Sequence, residues 1–340
     1  AASTLDIEQV EILRGPQGTL YGANALAGLI TMQSHAPSTT PMATISGQVA
    51  EYDSKTLGVV ASGPLTDRLS YRVAAQNQYS DGYIDNNYLD KDDTNNIDES
   101  IARAQLRFQE SEDWQLDFSM LYIDVDNGYD AFTLDNSRHT LSDQPGQDKQ
   151  ETVAGSFSAR WSGNDAFMLE TVLSAANSDT DYGFDEDWVY VGFHPEEYSS
   201  VDNYARDKDN ISGDLRLISQ PEHNIFYGRS SWVLGVYLRN EEEDLVRNDS
   251  FKSQFKTGNY ATYGQLKTAL NEEFSVVTGL RFEQRNADYT DNLTVQSDNE
   301  EDFWGGNITL EYQHADMPLV YGTISRGYKA GGVNGQIISA

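Results

Sequence analysis

Residues 6–37 read DIEQVEILRGPQGTLYGANALAGLITMQSHAP, and the order of residue types in this stretch decides the rest. Val10, Ile12 and Leu13 make a short apolar strand. Arg14-Gly15-Pro16-Gln17-Gly18 interrupts it, because Pro16 fixes φ and the glycines reach φ > 0 without a Cβ penalty. Leu20 to Leu29 is small and apolar, with Gly22 and Gly28 allowing another backbone to approach closely. Leu29 to Met32 reads as a second strand. A phosphate-cradling loop is the rival for so glycine-rich a turn, but no Gly-Lys-Ser/Thr follows and the glycine spacing does not fit a dinucleotide fingerprint.

Outward from that stretch, the chain from Ala43 on alternates strand-like runs with turns. Ala104, Leu106 and Phe108 share one parity and Arg103, Gln105 and Arg107 the other. Trp114, Leu116, Phe118, Met120 and Tyr122 oppose Gln115, Asp117 and Ser119, and Val276, Thr278, Leu280 and Phe282 oppose Arg281 and Glu283. Alternation with period two is the mark of a half-buried strand. About thirteen strands are predicted, near 43–52, 55–63, 68–80, 99–109, 114–124, 150–162, 166–177, 210–219, 226–240, 259–270, 274–286, 303–313 and 318–330. Short turns separate some pairs, such as 63–67, 109–113 and 271–273. Long segments separate the others, so the connections alternate short and long. A transmembrane β-barrel shows that pattern, with brief turns at one end and longer loops at the other. A soluble β-sandwich, as in an adhesin or lectin, has no reason to gather its long loops at one end.

Composition agrees with this class. Hydrophobic residues make up 38% of the 340-residue chain and mean hydropathy is -0.58, so no run approaches the roughly 18 apolar residues of a membrane helix. Barrels escape such scans because outward and inward side chains average out. The absence of cysteine excludes a disulfide framework and a Cys-ligated metal. A net charge of -31 makes nucleic acid a poor partner, since phosphate binding needs clustered Lys and Arg. The segments 81–98, 124–149, 178–209, 240–257 and 286–302 hold -25 of that charge. The expectation is therefore acidic loops on near-neutral strands.

The opening stretch resembles the end of the plug domain of TonB-dependent outer-membrane receptors, whose pattern reads roughly I-E-x-V-E-V-L-R-G-P-x-x-x-L-Y-G-x-x-A-x-G-G-V-I-N-I. Ile7, Glu8, Val10, Glu11, Leu13, Arg14, Gly15, Pro16, Leu20, Tyr21, Gly22, Ala25, Gly28 and Ile30 fall on it in order. Ala27 departs from a usual glycine, and Thr31-Met32 replaces Asn-Ile. Near the other end, Leu319 to Gly332 resembles a mid-barrel strand of the same family. The resemblance implies an all-β fold, with the C-terminal part of a plug over 1–42 and the N-terminal part of an antiparallel transmembrane β-barrel over 43–340. It further implies about thirteen of an expected 22 strands, so the chain is expected to be a fragment. The implied function is active import of a scarce solute across the bacterial outer membrane, foremost a ferric siderophore, with oligosaccharide or cobalamin as rivals. TonB with ExbB and ExbD would act through an upstream segment, and outer-membrane lipid and lipopolysaccharide would surround the wall. No enzyme activity and no cofactor are implied.

Glu11, Arg14, Gly15, Pro16, Tyr21, Gly22 and Gly28 carry the plug motif. An Arg inside a barrel needs a carboxylate to offset desolvation. The resemblance implies pairing of Arg14 with wall glutamates, for which Glu283 and Glu311 have the right parity; Glu8 or Glu11 within the plug is the alternative. Phe132, Tyr182, Trp188 and Tyr190 are candidate ligand contacts, since aromatic-lined mouths suit flat or partly apolar ligands; packing among the loops is the bland alternative. The five histidines are scattered, and Asp124-Val125-Asp126-Asn127-Gly128 misses the EF-hand register, so no metal site is assigned. No Ser/His/Asp order supports hydrolase chemistry. Acidic loops would repel an anionic ferric catecholate, which favours a neutral or cationic chelate or dependence on divalent cations.

Overall fold

The computed structural model describes residues 4–15, 18–22, 25, 27–195, 200–314 and 317–332. In chain order the strands are β1 (Ile7–Arg14), β2 (Gly28–Ser34), β3 (Met42–Val49), β4 (Lys55–Pro64), β5 (Leu69–Ser80), β6 (Asp85–Asn86), β7 (Ile97–Gln109), β8 (Trp114–Tyr129) and β9 (His139–Thr140). They continue with β10 (Gly146–Trp161), β11 (Phe167–Asp185), β12 (Val201–Ser219), β13 (Ser230–Arg247), β14 (Phe251–Ala269), β15 (Phe274–Asp291), β16 (Gln296–Tyr312) and β17 (Val320–Arg326). One 13-stranded sheet runs from β3 to β17 in sequence order, leaving out only the two-residue strands β6 and β9, which pair with each other. Its neighbours are antiparallel throughout. A continuous sheet of this kind is not a sandwich of two stacked sheets, so the soluble adhesin reading falls.

Strand number and order agree with the sequence, but the boundaries do not. Several strands reach 18 or 19 residues, or about 60 Å at the usual rise. That is about twice a hydrocarbon core. Segments 240–257 and 286–302, expected as loops, are almost wholly strand, with hairpins closing at 248–250 and 292–295. The extensions are mostly polar, with Phe251 and Phe255 against Lys252, Gln254 and Lys256 as a short apolar alternation. Cross-strand charge pairs hold them instead: Lys208 Nζ lies 3.1 Å from Glu241 and Lys256 Nζ 2.8 Å from Glu242. At its far end β17 is shorter than expected, because the chain leaves the sheet after Arg326.

Directly opposed residues share a face of the sheet, so the register separates an outer wall from an inner one. Leu215, Val236, Thr262, Phe282 and Trp304 lie in one row across β12 to β16. Phe282 and Val236 are 56% and 44% exposed, a liability in water but the expected state of a lipid-facing wall. At the short-turn end this wall carries an aromatic girdle. Trp114 opposes Trp161 with ring centroids 6.1 Å apart, and Phe274 opposes Tyr312 at 4.8 Å. Such rings favour the headgroup level.

The opposite parity faces inward and is polar: Arg216, Tyr237, Tyr263, Arg281 and Glu283 occupy neighbouring rows. Against it lies the antiparallel hairpin of β1 and β2. Near β1, Leu5 packs on the buried cluster of Ile101, Ile123 and Val125. The helical turn Gly18–Tyr21 touches β14, β15 and β16. The N-terminal segment therefore reaches across the interior from β7 to β16.

Candidate functional site: a hairpin seat and an aromatic mouth

Two anchors hold the N-terminal segment, and each is built from residues distant in sequence. At the first, Asp6 receives Arg72 Nε at 2.6 Å and Arg72 Nη2 at 2.5 Å. Both side chains are less than a tenth exposed. This bidentate geometry is the strong form of an ion pair. Arg103 Nη1 donates to the Leu5 carbonyl at 3.1 Å, and Gln105 Nε2 donates to Ser34 Oγ at 3.0 Å. The strand β5 supplies Arg72 and β7 supplies the other two, all from inward positions.

At the second anchor, Arg281 is 1% exposed. Its guanidinium lies between the rings of Tyr237 and Tyr263, at 5.3 and 5.4 Å, which suits a desolvated cation. Arg281 Nε donates to Glu283 at 2.8 Å. Glu283 also accepts from Asn259 at 2.7 Å and from the Tyr328 hydroxyl at 2.8 Å. The turn rests on this pair through Gly22: φ there is +82°, and an added Cβ would fall 2.9 Å from Arg281 Nη2. Beside it, Thr19 Oγ1 donates to Asn307 at 2.9 Å over the bare backbone of Gly279. Gly22 is thus needed twice, for its left-handed conformation and for contact with a buried charge.

The sequence-nominated residues distribute as follows. Arg14 ends β1 in an exposed position opposite Gly28. Glu283 is held by the wall residues just named, and Glu311 by Lys267 at 2.7 Å and Ser275 at 2.7 Å. Gly15 and Gly28 have φ of +79° and +153°. Glu11 and Tyr21 are exposed on the hairpin. Pro16 lies outside the described residues. Asp6 and Arg72 were not nominated, because a single Asp before a strand and a single Arg within one carry no signal until the fold joins them.

Farther along the strands, toward the long hairpins, the inner face becomes aromatic. Phe132 stacks on Trp188 with centroids 5.1 Å apart and planes 12° from parallel. Phe184 meets Phe132 at 5.7 Å and Tyr182 at 5.9 Å, while Tyr129 joins Phe132 and Tyr182. Tyr190 belongs to a second stack with Tyr88 at 4.4 Å and Phe193 at 5.6 Å. Three of the four nominated aromatics therefore converge, and Tyr190 packs with other partners. Opposite Tyr182 stands Tyr204, with Arg247 and Arg206 over its ring at 5.0 and 5.1 Å. Against the desolvation that burial imposes, Arg247 and Tyr204 hold the Asp202 carboxyl below the usual carboxylate range; Arg247 donates to it twice at 2.7 Å. The sequence reading missed Tyr204, Arg206 and Arg247; the shared parity of Tyr204 and Arg206 within one presumed loop was the available clue, while Arg247 joins them only through strand pairing.

Buried polar contacts brace the mouth. Asn86 is 1% exposed and donates to Asp130 at 2.7 Å and to the Ser142 carbonyl at 2.9 Å. Thr140 donates to the same Asp130 at 2.8 Å. Next to them, burial and the neighbouring Asp187 push the Asp185 carboxyl up to about 6. A raised carboxyl pKa means that the closed loop binds the proton more tightly than the open one. Its stabilising effect is complete below the ordinary value of 3.8 and is lost as pH rises through about 6. The protection of residues 186–195 from hydrogen exchange, relative to the intrinsic rate at each pH, is therefore expected to fall between pH 5 and 7, and Asp185→Asn is expected to flatten that dependence. Unchanged pH dependence in the variant would remove Asp185 as its source. Among the described residues no group of three or more His, Asp or Glu side chains is disposed to hold a metal ion.

Comparison with known proteins places this geometry. A family profile described as "TonB dependent receptor-like, beta-barrel" matches residues 43–339. The pesticin receptor of Yersinia enterocolitica is 25% identical over 356 aligned positions, covering 97% of this chain and 50% of that protein. Among solved structures, the ferric yersiniabactin uptake receptor FyuA from Yersinia pestis superposes with a TM-score of 0.82 at 23% identity, over 96% of this chain and 53% of its own. The ferric-catecholate import receptor Fiu from E. coli K12, in its open form, gives 0.81 at 14% identity, over 96% and 60%. These two likenesses speak for the fold. The chain spans about half the length of the curated relatives it matches.

Proposed function

Because this chain belongs to the TonB-dependent receptor β-barrel family of bacterial outer-membrane proteins, we propose that it forms part of an importer of ferric siderophores. In this reading residues 1–42 are the end of the plug and residues 43–340 the first part of the barrel wall. The solute binds non-covalently at the aromatic mouth above the seated hairpin. TonB, driven by ExbB and ExbD and acting through a segment upstream, pulls the plug so that the solute passes to the periplasm. No bond is made or broken by the receptor.

The observation that carries the solute class is the sidedness of charge at the mouth. Inward positions hold Arg206 and Arg247 beside Tyr182 and Tyr204, whereas Asp124, Glu151, Asp179, Asp207 and Asp244 form a row on the outer wall. That acidic row is therefore turned away from the ligand, while on the inner face Glu243 neighbours Arg206 and Asp202 neighbours Arg247. Stacked rings beside carboxylate-paired guanidinium groups suit a chelate bearing aromatic rings. The ferric yersiniabactin uptake receptor and the ferric-catecholate import receptor, named for ferric ligands, favour a ferric chelate.

Growth of a receptor-null strain carrying the intact gene tests this reading. Ferric chelates as sole iron source are expected to support growth, while oligosaccharide or cobalamin dependence would replace it with one of the rival solutes. Phe132→Ala with Trp188→Ala removes a stack and its area, about 2–3 kcal/mol in all, so chelate binding is expected to weaken about 30- to 150-fold. An unchanged Kd in that double variant would return these rings to loop packing alone.

A further inference from the structure

One inward row crosses five strands beneath the N-terminal turn: Arg216 on β12, Gly235 on β13, Tyr263 on β14, Arg281 on β15 and Gly305 on β16. Glycine weakens a strand interior and marks places where another group must come close. Here each glycine makes room for a tyrosine ring. An added Cβ on Gly235 would collide with Tyr263 Cζ and fall 2.5 Å from its hydroxyl oxygen, and one on Gly305 would fall 2.8 Å from Tyr328 Cε1. Tyr263, 4% exposed, therefore lies across β13 and points toward β12.

Its hydroxyl ends on a charge pair two strands away. It donates to Asp214 Oδ1 at 2.8 Å and accepts from Arg216 Nε at the same distance. Arg216 and Asp214 are themselves joined by two hydrogen bonds of 3.1 Å. The Tyr263 ring meets the second anchor, with the Arg281 guanidinium 5.4 Å from its centroid. Tyr263 so connects a charge pair on β12 with the pair of Arg281 and Glu283 on which Gly22 rests.

We propose that Tyr263 is a positioning residue for plug seating: its hydroxyl, held by Asp214 and Arg216, fixes the ring that fixes Arg281, and thereby sets how firmly the wall retains the turn at Gly22. The proposal rests on reading the N-terminal hairpin as the end of a plug. A ring face attracts a cation without choosing its place along the face, so the guanidinium follows its two rings. Rotation about χ1 would carry the Tyr263 ring off the gap at Gly235, and two charge-assisted hydrogen bonds oppose that rotation. The first anchor shares none of these groups.

Hydrogen exchange of the full-length receptor in detergent micelles, read by mass spectrometry, tests this. Tyr263→Phe keeps the ring and its attraction for Arg281 and removes only the hydroxyl. It is expected to lower the protection of residues 18–22 about tenfold, while residues 6–14 at the first anchor and 259–266 in the wall stay within about twofold. Gly235→Ala, which displaces the ring with its hydroxyl intact, is expected to do at least as much to 18–22; if it folds badly, Tyr263→Phe stands as the test alone. Tyr263→Phe combined with Gly22→Ala should lose less than the product of the two effects, because both act through Arg281, whereas combination with Arg72→Ala should give the full product. Free exchange of 18–22 in the parent would overturn the plug reading and the proposal together. Protection in the parent that Tyr263→Phe leaves unchanged would overturn the proposal alone. So would a loss spread equally over 6–14 and 259–266, or full multiplication with Gly22→Ala.

Discussion

Arg72→Ala is expected to loosen the N-terminal hairpin from the wall by about 3–5 kcal/mol, the usual cost of leaving one buried charge without its partner. Asp6 would keep a carboxylate that is almost wholly buried and lose both of its short guanidinium hydrogen bonds. The loss should be local, because the sheet pairs independently of Asp6. Limited proteolysis is expected to cut near β1 in the variant while the barrel stays intact, and planar bilayers should show leak current where the parent is silent. The double variant Asp6→Asn with Arg72→Met removes both charges and is expected to recover most of the loss. A tight, protease-resistant hairpin in Arg72→Ala would show that the contacts of Arg103 and Gln105 suffice without the ion pair.

Glu283→Ala should act on the second anchor with a similar magnitude of about 3–5 kcal/mol. It leaves Arg281 enclosed by Tyr237 and Tyr263 with no carboxylate, and deprives Tyr328 and Asn259 of their acceptor. Because Gly22 sits directly on this pair, the effect should couple to Gly22→Ala. A left-handed alanine costs about 1–2 kcal/mol by itself, and in the parent it must also displace Arg281. In the Glu283→Ala background the guanidinium is free to move, so the double variant is expected to lose less than the sum. Hydrogen exchange across residues 18–22 and 279–285 measures each term. Strict additivity would mean that the turn and the pair do not share a contact.

Much of this architecture was legible in the residues, and the parts that were not share a cause. Alternation in runs such as Trp114 to Tyr122 marks a strand because lipid demands an apolar side chain at every second position. Thirteen strands in sequence order follow from that demand. Beyond the membrane the demand ends: 241–247 opens on four acids in a row, and 251–257 sets Phe251, Ser253, Phe255 and Thr257 against Lys252, Gln254 and Lys256. With charge dominating and apolar residues few, these segments were read as loops and their charge as loop charge. Once paired, such residues sort by parity, as on β12, where Arg206 and Lys208 lie inward and Asp207 and Asp209 outward.

The seat shows the complementary limit. Arg14 stood out because a motif surrounds it, and its expected partners Glu283 and Glu311 had the right parity. The wall supplies those glutamates with Arg281, two residues away on the same strand, and Lys267, two strands away and two positions out of register. Asp6 and Arg72, 66 positions apart, are joined by the path of the hairpin across the interior. No local pattern encodes that path. The aromatic mouth falls between the two cases, since Phe132, Tyr182 and Trp188 were chosen by residue type and do converge, while Tyr190 was chosen on the same ground and packs with Tyr88.

The central claim is that neighbouring residues on one strand face lipid and a plugged interior in turn. With no native cysteine in the chain, single cysteines at Phe118, Ser119, Ser156 and Phe157 in the membrane-embedded receptor test it directly, since Ser119 lies opposite Gln105 of the first anchor and Ser156 opposite Ser119. Nitroxide labels at 118 and 157 are expected to relax with lipid-soluble oxygen and resist water-soluble nickel chelate, while 119 and 156 are shielded from oxygen and become open to the chelate when the hairpin is released by Arg72→Ala. Equal shielding of all four positions from both reagents, or equal access to water, would contradict the account.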